Sequence, residues 1–160
     1  MDKKQGALFI AYIKDQLSNI YKDGNWVTQG IRDKLLALTP EKGTLLIPPF
    51  SHTIAQQLAH MGAWRDFVAA KLKGEEKEIE VNSSDDWPSG RDWGKVVTDF
   101  RQSQTAILEA LDQFDPGRLQ EVVPGRKYTF AFMIQGLIHH DYYHFGQASA
   151  MLSAMERVEA

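Results

Sequence analysis

Two histidines near the end of the chain have the spacing of metal ligands. His140 and His144 are four residues apart, so on a helix they share one face and both imidazoles can reach one divalent ion. His139 lies about 100° away around the same helix, and we expect it to face elsewhere. The three- and four-residue steps of this helix define an inward-facing stripe that comprises Met133, Leu137, His140, His144, Gln147 and Met151.

The alternative interpretation is that His140 and His144 are core or interface histidines, each satisfied by a side chain or a water molecule. Two adjacent imidazoles in a core need many hydrogen-bond partners, whereas one metal ion satisfies both of them. The pair lacks the intervening glutamate of the HExxH zinc-protease motif, so the general base of that motif is missing.

A third ligand has to come from another helix, where His52 and His60 are the remaining histidines. His60 aligns with Trp64 and Phe67 at four- and three-residue steps, at the edge of an apolar arc, and can face the core. Alone, it would more often be a satisfied core histidine than a ligand, and the pair on a partner helix strengthens the case for a ligand. His52 falls where this helix begins, and a solvated or capping role is expected there.

The elements that must position these side chains are helices separated by glycine and proline. The apolar period and the breakers predict helices over residues 8–21, 26–38, 52–73, 92–114 and 129–155, with Ser51 or Thr53 as a cap and Gly74 as a stop. β-Prone runs are short. The pattern predicts an all-α fold, a four-helix bundle, as a single domain over residues 1–160.

One long connection separates the second and third long helices of this bundle. Residues 75–90 are acidic, contain Pro88 and lack an apolar stripe, so we expect a loop that resists packing. At up to about 3.3 Å per residue it can run the length of a bundle. The helices on either side therefore need not be antiparallel neighbours, and a crossover connection is allowed.

Composition excludes several classes of function. Cysteine is absent, which excludes disulfides, zinc–thiolate sites and an internal thiol nucleophile, and a reducing, cytoplasmic compartment is expected. The net charge is −3 with scattered basic residues, so nucleic acid is not expected as a partner. No segment approaches the length of a membrane span, and we expect no membrane partner.

Longer motifs resemble one known family. The run from His52 to Met61 followed by Trp64, and the run Gly136 to Gln147 with its HxxYHxGQ element, are similar to those of the DinB/YfiT-like superfamily of metal enzymes. The supporting motifs are Asn25-Trp26, the helix exit at residues 72–74 and Asp86-Trp87-Pro88. The likeness runs nearly end to end, and Phe145 departs from it where many members carry a small or basic residue.

The resemblance implies a four-helix bundle with a crossover, a divalent metal site made by His60, His140 and His144, and a homodimer. It also implies a small-molecule substrate. Some family members resemble transferases that join a low-molecular-weight thiol, such as bacillithiol or mycothiol, to an electrophile, and many have no assigned reaction. Others resemble metal-dependent hydrolases, and a non-catalytic metal-binding helical module is a third hypothesis.

A site of three imidazoles suits zinc or nickel, with iron or manganese as further candidates, and leaves a position open for water or an external thiol. No catalytic residue is assigned. Gln147 and Trp64 are candidates to line the pocket. Asp141 lies off the stripe and is expected to be either a structural acceptor or an acceptor that supports a ligand, and Gly146 is expected to let a neighbouring helix approach.

Overall fold

The computed structural model describes residues 2–22 and 31–158 and shows an all-helical fold, as predicted. The described helices are α1 Lys3–Tyr21, α2 Ile31–Leu36, α3 Pro40–Gly43, α4 Ile54–Lys73, α5 Trp93–Gln113 and α6 Phe130–Val158, with a 3₁₀ turn at Pro116–Arg118. Within the described ranges, β structure is confined to one isolated bridge between Val122 and Thr129. The long helices α1, α4, α5 and α6 form the four-helix bundle.

The helix that carries His60 has clear start and stop signals in the sequence. The Thr53 side chain accepts a hydrogen bond from the backbone N–H of Gln56, while the Gln56 side chain accepts one from the Thr53 N–H. This reciprocal capping box selects Thr53 over Ser51 as the cap, so α4 begins at Ile54, two residues later than predicted. Gly74 ends α4 in the left-handed conformation, at φ 79°, which glycine adopts without steric cost.

The predicted helix over residues 26–38 is only partly supported. Residues 26–30, and with them Asn25-Trp26, lie outside the described residues. Beyond them the structure has the short α2, which ends at Leu36, and then the one-turn α3. Thr39 caps α3 and Pro40 occupies its first position, so the Thr39-Pro40 signal starts a new helix as well as ending the previous one.

The side-chain contacts give the helix directions. On α4 and α6, Gln57 meets His144 while Trp64 meets His140, so these two helices are antiparallel. On α4 and α5, Ala55 shares a cavity wall with Val96, and Gly62 faces Ser103, so this pair is parallel. α1 is antiparallel to α5, because Lys14 pairs with Asp112 and Tyr21 packs on Phe100.

The parallel pair needs a connection that returns along the whole of α4, and residues 74–92 provide it. Glu78 pairs with Lys71 near the end of α4, and further on the Asp86 carboxylate accepts a hydrogen bond from the Trp64 indole. Trp87 then stacks on His52, just before α4 begins. The crossover is therefore confirmed.

The expectation that this segment resists packing was wrong for several positions from Ile79 onward. Ile79, Asp86 and Pro88 are buried, whereas residues 73–78 are exposed. The crossover lies along α4, so isolated side chains can be buried without the periodic apolar stripe of a helix. Its second half is thereby brought to the histidines.

A buried ion pair connects α4 to α6 inside the bundle. Arg65 and Asp141 are both 0% exposed, and the Arg65 Nε donates to Asp141 Oδ2 over 2.8 Å. The guanidinium also lies over the Phe100 ring, 4.5 Å from its centroid. Charges without solvent are tolerated only when paired, so this contact sets the register between the two helices that carry the histidines.

None of the described helices is both long enough and apolar enough to cross a membrane.

We predict that Arg65→Met destabilises the protein by about 3–5 kcal/mol, because it leaves the Asp141 carboxylate buried without its partner. The double variant Arg65→Met/Asp141→Leu should recover most of that loss. Urea unfolding of the single and double variants measures both effects. Lys95→Met, which removes an exposed partner of Asp99, is the control and should change stability by less than about 1 kcal/mol. An equally large loss in the double variant would contradict the assigned role of the pair.

Candidate metal centre

Three histidines from two helices converge at one point. His60 of α4 has its Nε2 atom 3.0 Å from Nε2 of His144 and 2.9 Å from Nε2 of His140, both on α6. One ring nitrogen from each histidine lies within 4.8 Å of the other two. His60 and His144 are buried, and His140 is partly buried. The structure thus brings together the three residues that the sequence analysis assigned to a metal ion.

The orientation of His60 depends on the crossover. Its Nδ1 lies 2.7 Å from the backbone carbonyl oxygen of Asp86 and 3.0 Å from the Asp86 carboxylate. A carbonyl oxygen can only accept, so Nδ1 carries the proton and Nε2 presents a lone pair. The Asp86 carboxylate is held in turn by the Trp64 indole at 2.8 Å and by the Asn82 backbone N–H at 2.7 Å.

His144 is oriented in the same way by α4. Its Nδ1 donates to Oε1 of Gln57 over 2.7 Å, and Gln57 is 4% exposed. The Nε2 atom of His144 therefore also presents a lone pair. Two bare lone pairs 3.0 Å apart repel one another unless a cation lies between them, so this arrangement fits a metal ion and does not fit a satisfied core pair.

His140 lies beside the buried ion pair. Its Nδ1 has no hydrogen-bond partner among the described residues and is 3.7 Å from Oδ1 of Asp141, which also lacks one there. Asp141 is thus a buried acceptor next to a ligand candidate, the type of role that the sequence analysis expected. A movement of a few tenths of an ångström would let His140 donate to it.

The surroundings keep the buried histidines neutral. Burial lowers the pKa of His60; the hydrogen bond to the Asp86 carbonyl partly offsets this effect, and the neighbouring His140 lowers the pKa further. Burial, together with the neighbouring His140 and His60, lowers the pKa of His144 to about 3. A neutral imidazole is the form that binds metal, so both side chains are in the ligand state at neutral pH.

The two histidines outside the cluster are separated from it. His139 is exposed, as expected. His52 stacks on Trp87, with ring centroids 3.6 Å apart, and the other face of Trp87 stacks on His60 at 3.9 Å. The expected solvated or capping role of His52 was wrong, because Thr53 caps α4 and the crossover places Trp87 against the His52 ring.

Two cavities flank the cluster. The His144 cavity has a volume of about 390 Å³ and is lined by Pro49, Phe50, Ser51, His52, Gln57, Trp87, Tyr143, His144 and Gln147. The His140 cavity has a volume of about 310 Å³ and is lined by Trp64, Phe67, Val68, Tyr128, Phe132, Met133, Gly136, Leu137 and His140. Gln147 and Trp64, the predicted pocket residues, therefore line different cavities.

Sequence reasoning missed Asp86 and Gln57 and misjudged Gly146. Gln57 is three residues before His60 on α4, so helical spacing was an available signal for it. Asp86 is remote in sequence, and the motif Asp86-Trp87-Pro88 was its only signal. Gly146 is exposed, and no atom of the described residues lies within 4 Å of a Cβ built there, so the predicted close helix approach is not observed.

Comparison with known proteins identifies related sequences and folds. The family model of the DinB superfamily matches residues 16–148. The crystal structure of a DinB-like protein from Bacillus cereus ATCC 10987 superposes with a TM-score of 0.58 at 22% identity, over 82% of this chain and 87% of that one. Comparison with curated proteins gives no match.

We predict that His60→Ala, His140→Ala and His144→Ala each lose bound metal, while His52→Ala and His139→Ala retain it. Loss of one of three ligands also removes the stabilisation that a bound ion gives the folded state, roughly 3–4 kcal/mol at a few hundred to a thousand times Kd. Elemental analysis and thermal melting of the five variants measure both quantities. Full metal retention by His60→Ala, or equal loss by His139→Ala, would refute the site.

Gln57→Leu should weaken metal binding by about 10- to 100-fold, because it removes the acceptor that orients His144 while leaving the three ligands in place. Competition against a metal-sensitive dye measures the affinity. Gln56→Leu is unsuitable as a control, because the Gln56 side chain belongs to the capping box of α4 and its loss would destabilise the helix. Gln102→Leu, at an exposed position on α5, serves as the control. Unchanged affinity in Gln57→Leu would show that this contact is not needed.

The metal-free protein should lose stability on acidification from pH 6.5. The folded-state pKa of His144 is lowered to about 3, whereas an unfolded histidine has a pKa of about 6.5. Between these pKa values the unfolded chain binds a proton at His144 that the folded chain does not bind. The free energy of unfolding therefore falls as the pH falls. Urea unfolding between pH 7 and 5 gives the free energy of unfolding as a function of pH. This dependence should be less steep in His144→Asn than in the wild type, and as steep in His139→Asn as in the wild type. Equal slopes in all three proteins would contradict the lowered pKa.

Proposed function

The chain belongs to the DinB superfamily, and from that premise we propose that it is a divalent-metal-dependent transferase that joins a low-molecular-weight thiol to an electrophilic small molecule. The observation that carries the metal requirement is the pair of bare Nε2 lone pairs on His60 and His144, 3.0 Å apart, with His140 alongside. Zinc and nickel are the first candidates, because both suit imidazole ligands.

A divalent ion held by three neutral imidazoles would keep an open position at which a thiol is deprotonated or the pKa of water is lowered. The chain's own contribution is to hold the three rings. Asp86 and Gln57 set the tautomers of His60 and His144, and Asp141 lies within reach of His140. Trp87 covers one face of His60 and limits the access of water to it.

The surrounding carboxylates disfavour a hydrolase that uses a protein carboxylate as its general base. Among the described residues, Asp86 and Asp141 are the carboxylates in contact with the histidines, and both are buried. Asp86 is engaged by Trp64 and Asn82, and Asp141 by Arg65. Neither is accessible as a general base for an attacking water. Attack by a thiolate needs no such base, because the thiol has already lost its proton.

The two cavities also favour a reaction that joins two molecules. The His144 cavity contains polar side chains, among them Gln147, whose amide donates to the Tyr143 hydroxyl over 3.1 Å. The His140 cavity is largely apolar. A polar cavity and an apolar cavity beside the same histidine cluster suit two substrates of different polarity. In the proposed reaction the thiol releases its proton to solvent, sulfur bonds to the electrophilic carbon, and the bond from that carbon to the leaving group breaks, with its electrons going to the leaving group.

The test is conjugation by protein purified without a histidine tag and loaded with zinc or nickel. It would be incubated with 4-nitrobenzyl chloride or iodoacetamide and, in turn, bacillithiol, mycothiol, cysteine and coenzyme A. Mass spectrometry of the products should show a thioether above the uncatalysed rate. His140→Ala should abolish this excess, and His139→Ala, its exposed neighbour, should retain it.

Two results would contradict the proposal. Turnover of esters or lactones without any thiol would favour a hydrolase. No conjugation with any thiol, combined with a melting temperature that falls when the metal is removed, would favour an ion that only braces the helices.

A further inference from the structure

The His140 cavity has walls that suit an aromatic ring. Among the described residues, its lining contains no aspartate, glutamate, lysine or arginine. Trp64 and Phe67 meet edge to face, with ring centroids 5.4 Å apart, and the Trp64 indole N–H is already used by Asp86. Trp64 is therefore held in place and offers the cavity its apolar ring surface. Aromatic rings prefer such offset or edge contacts.

The floor of the cavity is one face of α6. Phe132, Gly136 and His140 follow one another at four-residue steps, so they lie in a row along the helix. Phe132 is 67% exposed at one end of this row, and the histidine cluster is at the other. The cavity thus leads from an exposed aromatic side chain to His140.

Gly136 keeps the middle of that row open. No atom of the described residues lies within 4 Å of a Cβ built at this position, so neither packing nor a left-handed backbone requires glycine there. A helix interior disfavours glycine relative to alanine. Gly146 on the same helix is equally open but lines neither flanking cavity. Gly136 differs from it in lying between Phe132 and His140, on the cavity wall.

We propose that the His140 cavity binds the aromatic part of a small electrophilic substrate, with Gly136 providing the room for it. This proposal rests on the proposed thiol-transferase function in one respect, namely that the substrate is an electrophile. An uncharged aromatic group matches walls that offer ring edges and apolar carbons and that offer a charged group no ionic partner. The position next to His140 places the reacting carbon of such a substrate beside the three histidines.

The first test measures binding and needs no activity. 2-Naphthol, an inert aromatic probe, would be titrated into the wild-type, Gly136→Leu and Gly146→Leu proteins by calorimetry. Gly136→Leu should bind the probe about 10- to 100-fold more weakly, because a leucine side chain occupies the apolar space that a ring would fill. Gly146→Leu, the matched control on the same helix, should bind like the wild type. All proteins would be checked for helical content and bound metal.

Gly136→Ala is a second variant, in case leucine disturbs the fold. It should melt no lower than the wild type, because alanine favours a helix, and it should weaken binding less than leucine does. Absence of binding by the wild type, or equal binding by all variants, would overturn the proposal. A dimer detected by light scattering that Gly136→Leu dissociates would also overturn it, because a second copy of the chain would then occupy the cavity.

The second test separates this proposal from the proposed function. Conjugation of 4-nitrobenzyl chloride by metal-loaded Gly136→Leu should fall by about tenfold or more, while conjugation of iodoacetamide, which lacks a ring, should be unchanged. Equal loss with both electrophiles would contradict an aromatic site. If the wild type conjugates neither, the proposed function fails, and the naphthol titration still decides whether the cavity binds an aromatic ring.

Discussion

The hydrogen bond from His60 to the backbone carbonyl of Asp86 is the contact on which the site depends. It joins the crossover to α4 and sets the tautomer of His60, since the carbonyl oxygen accepts the proton of Nδ1 over 2.7 Å. The free Nε2 lone pair then faces His140 and His144. Without this contact, the protonated nitrogen of His60 could satisfy one of its neighbours, and the three rings would form an ordinary core cluster.

The same contact explains why the bundle has its unusual connection. A short turn after α4 would make α5 antiparallel and would leave His60 without its acceptor. The long crossover places Asp86 and Trp87 against α4, and α5 then begins beside the start of α4. The Asp86 carboxylate, bound by Trp64 and Asn82, holds this segment in position. Fold topology and metal-ligand orientation are therefore consequences of the same packing.

Burial has opposite effects on stability and on chemistry in this protein. It lowers the pKa of His60 and His144 and makes them neutral ligands, but it also forces Arg65 and Asp141 to pair without solvent. A buried pair of this kind seldom adds net stability. Its position next to His140 indicates that it serves register and orientation, because the carboxylate held by Arg65 is the one closest to His140 Nδ1.

The sequence by itself determined the features that depend on local rules. Helical period predicted the long helices, the Thr53 cap and Gly74 defined α4, and four-residue spacing put His140 and His144 on one face. Only the tertiary structure decided which distant groups meet them. Asp86 reaches His60 from 26 residues away in the chain, Gln57 meets His144 across a helix interface, and Gly136 borders a cavity where Gly146 does not. Such contacts depend on helix direction and register, which arise from the packing of the whole bundle and have no period in the sequence.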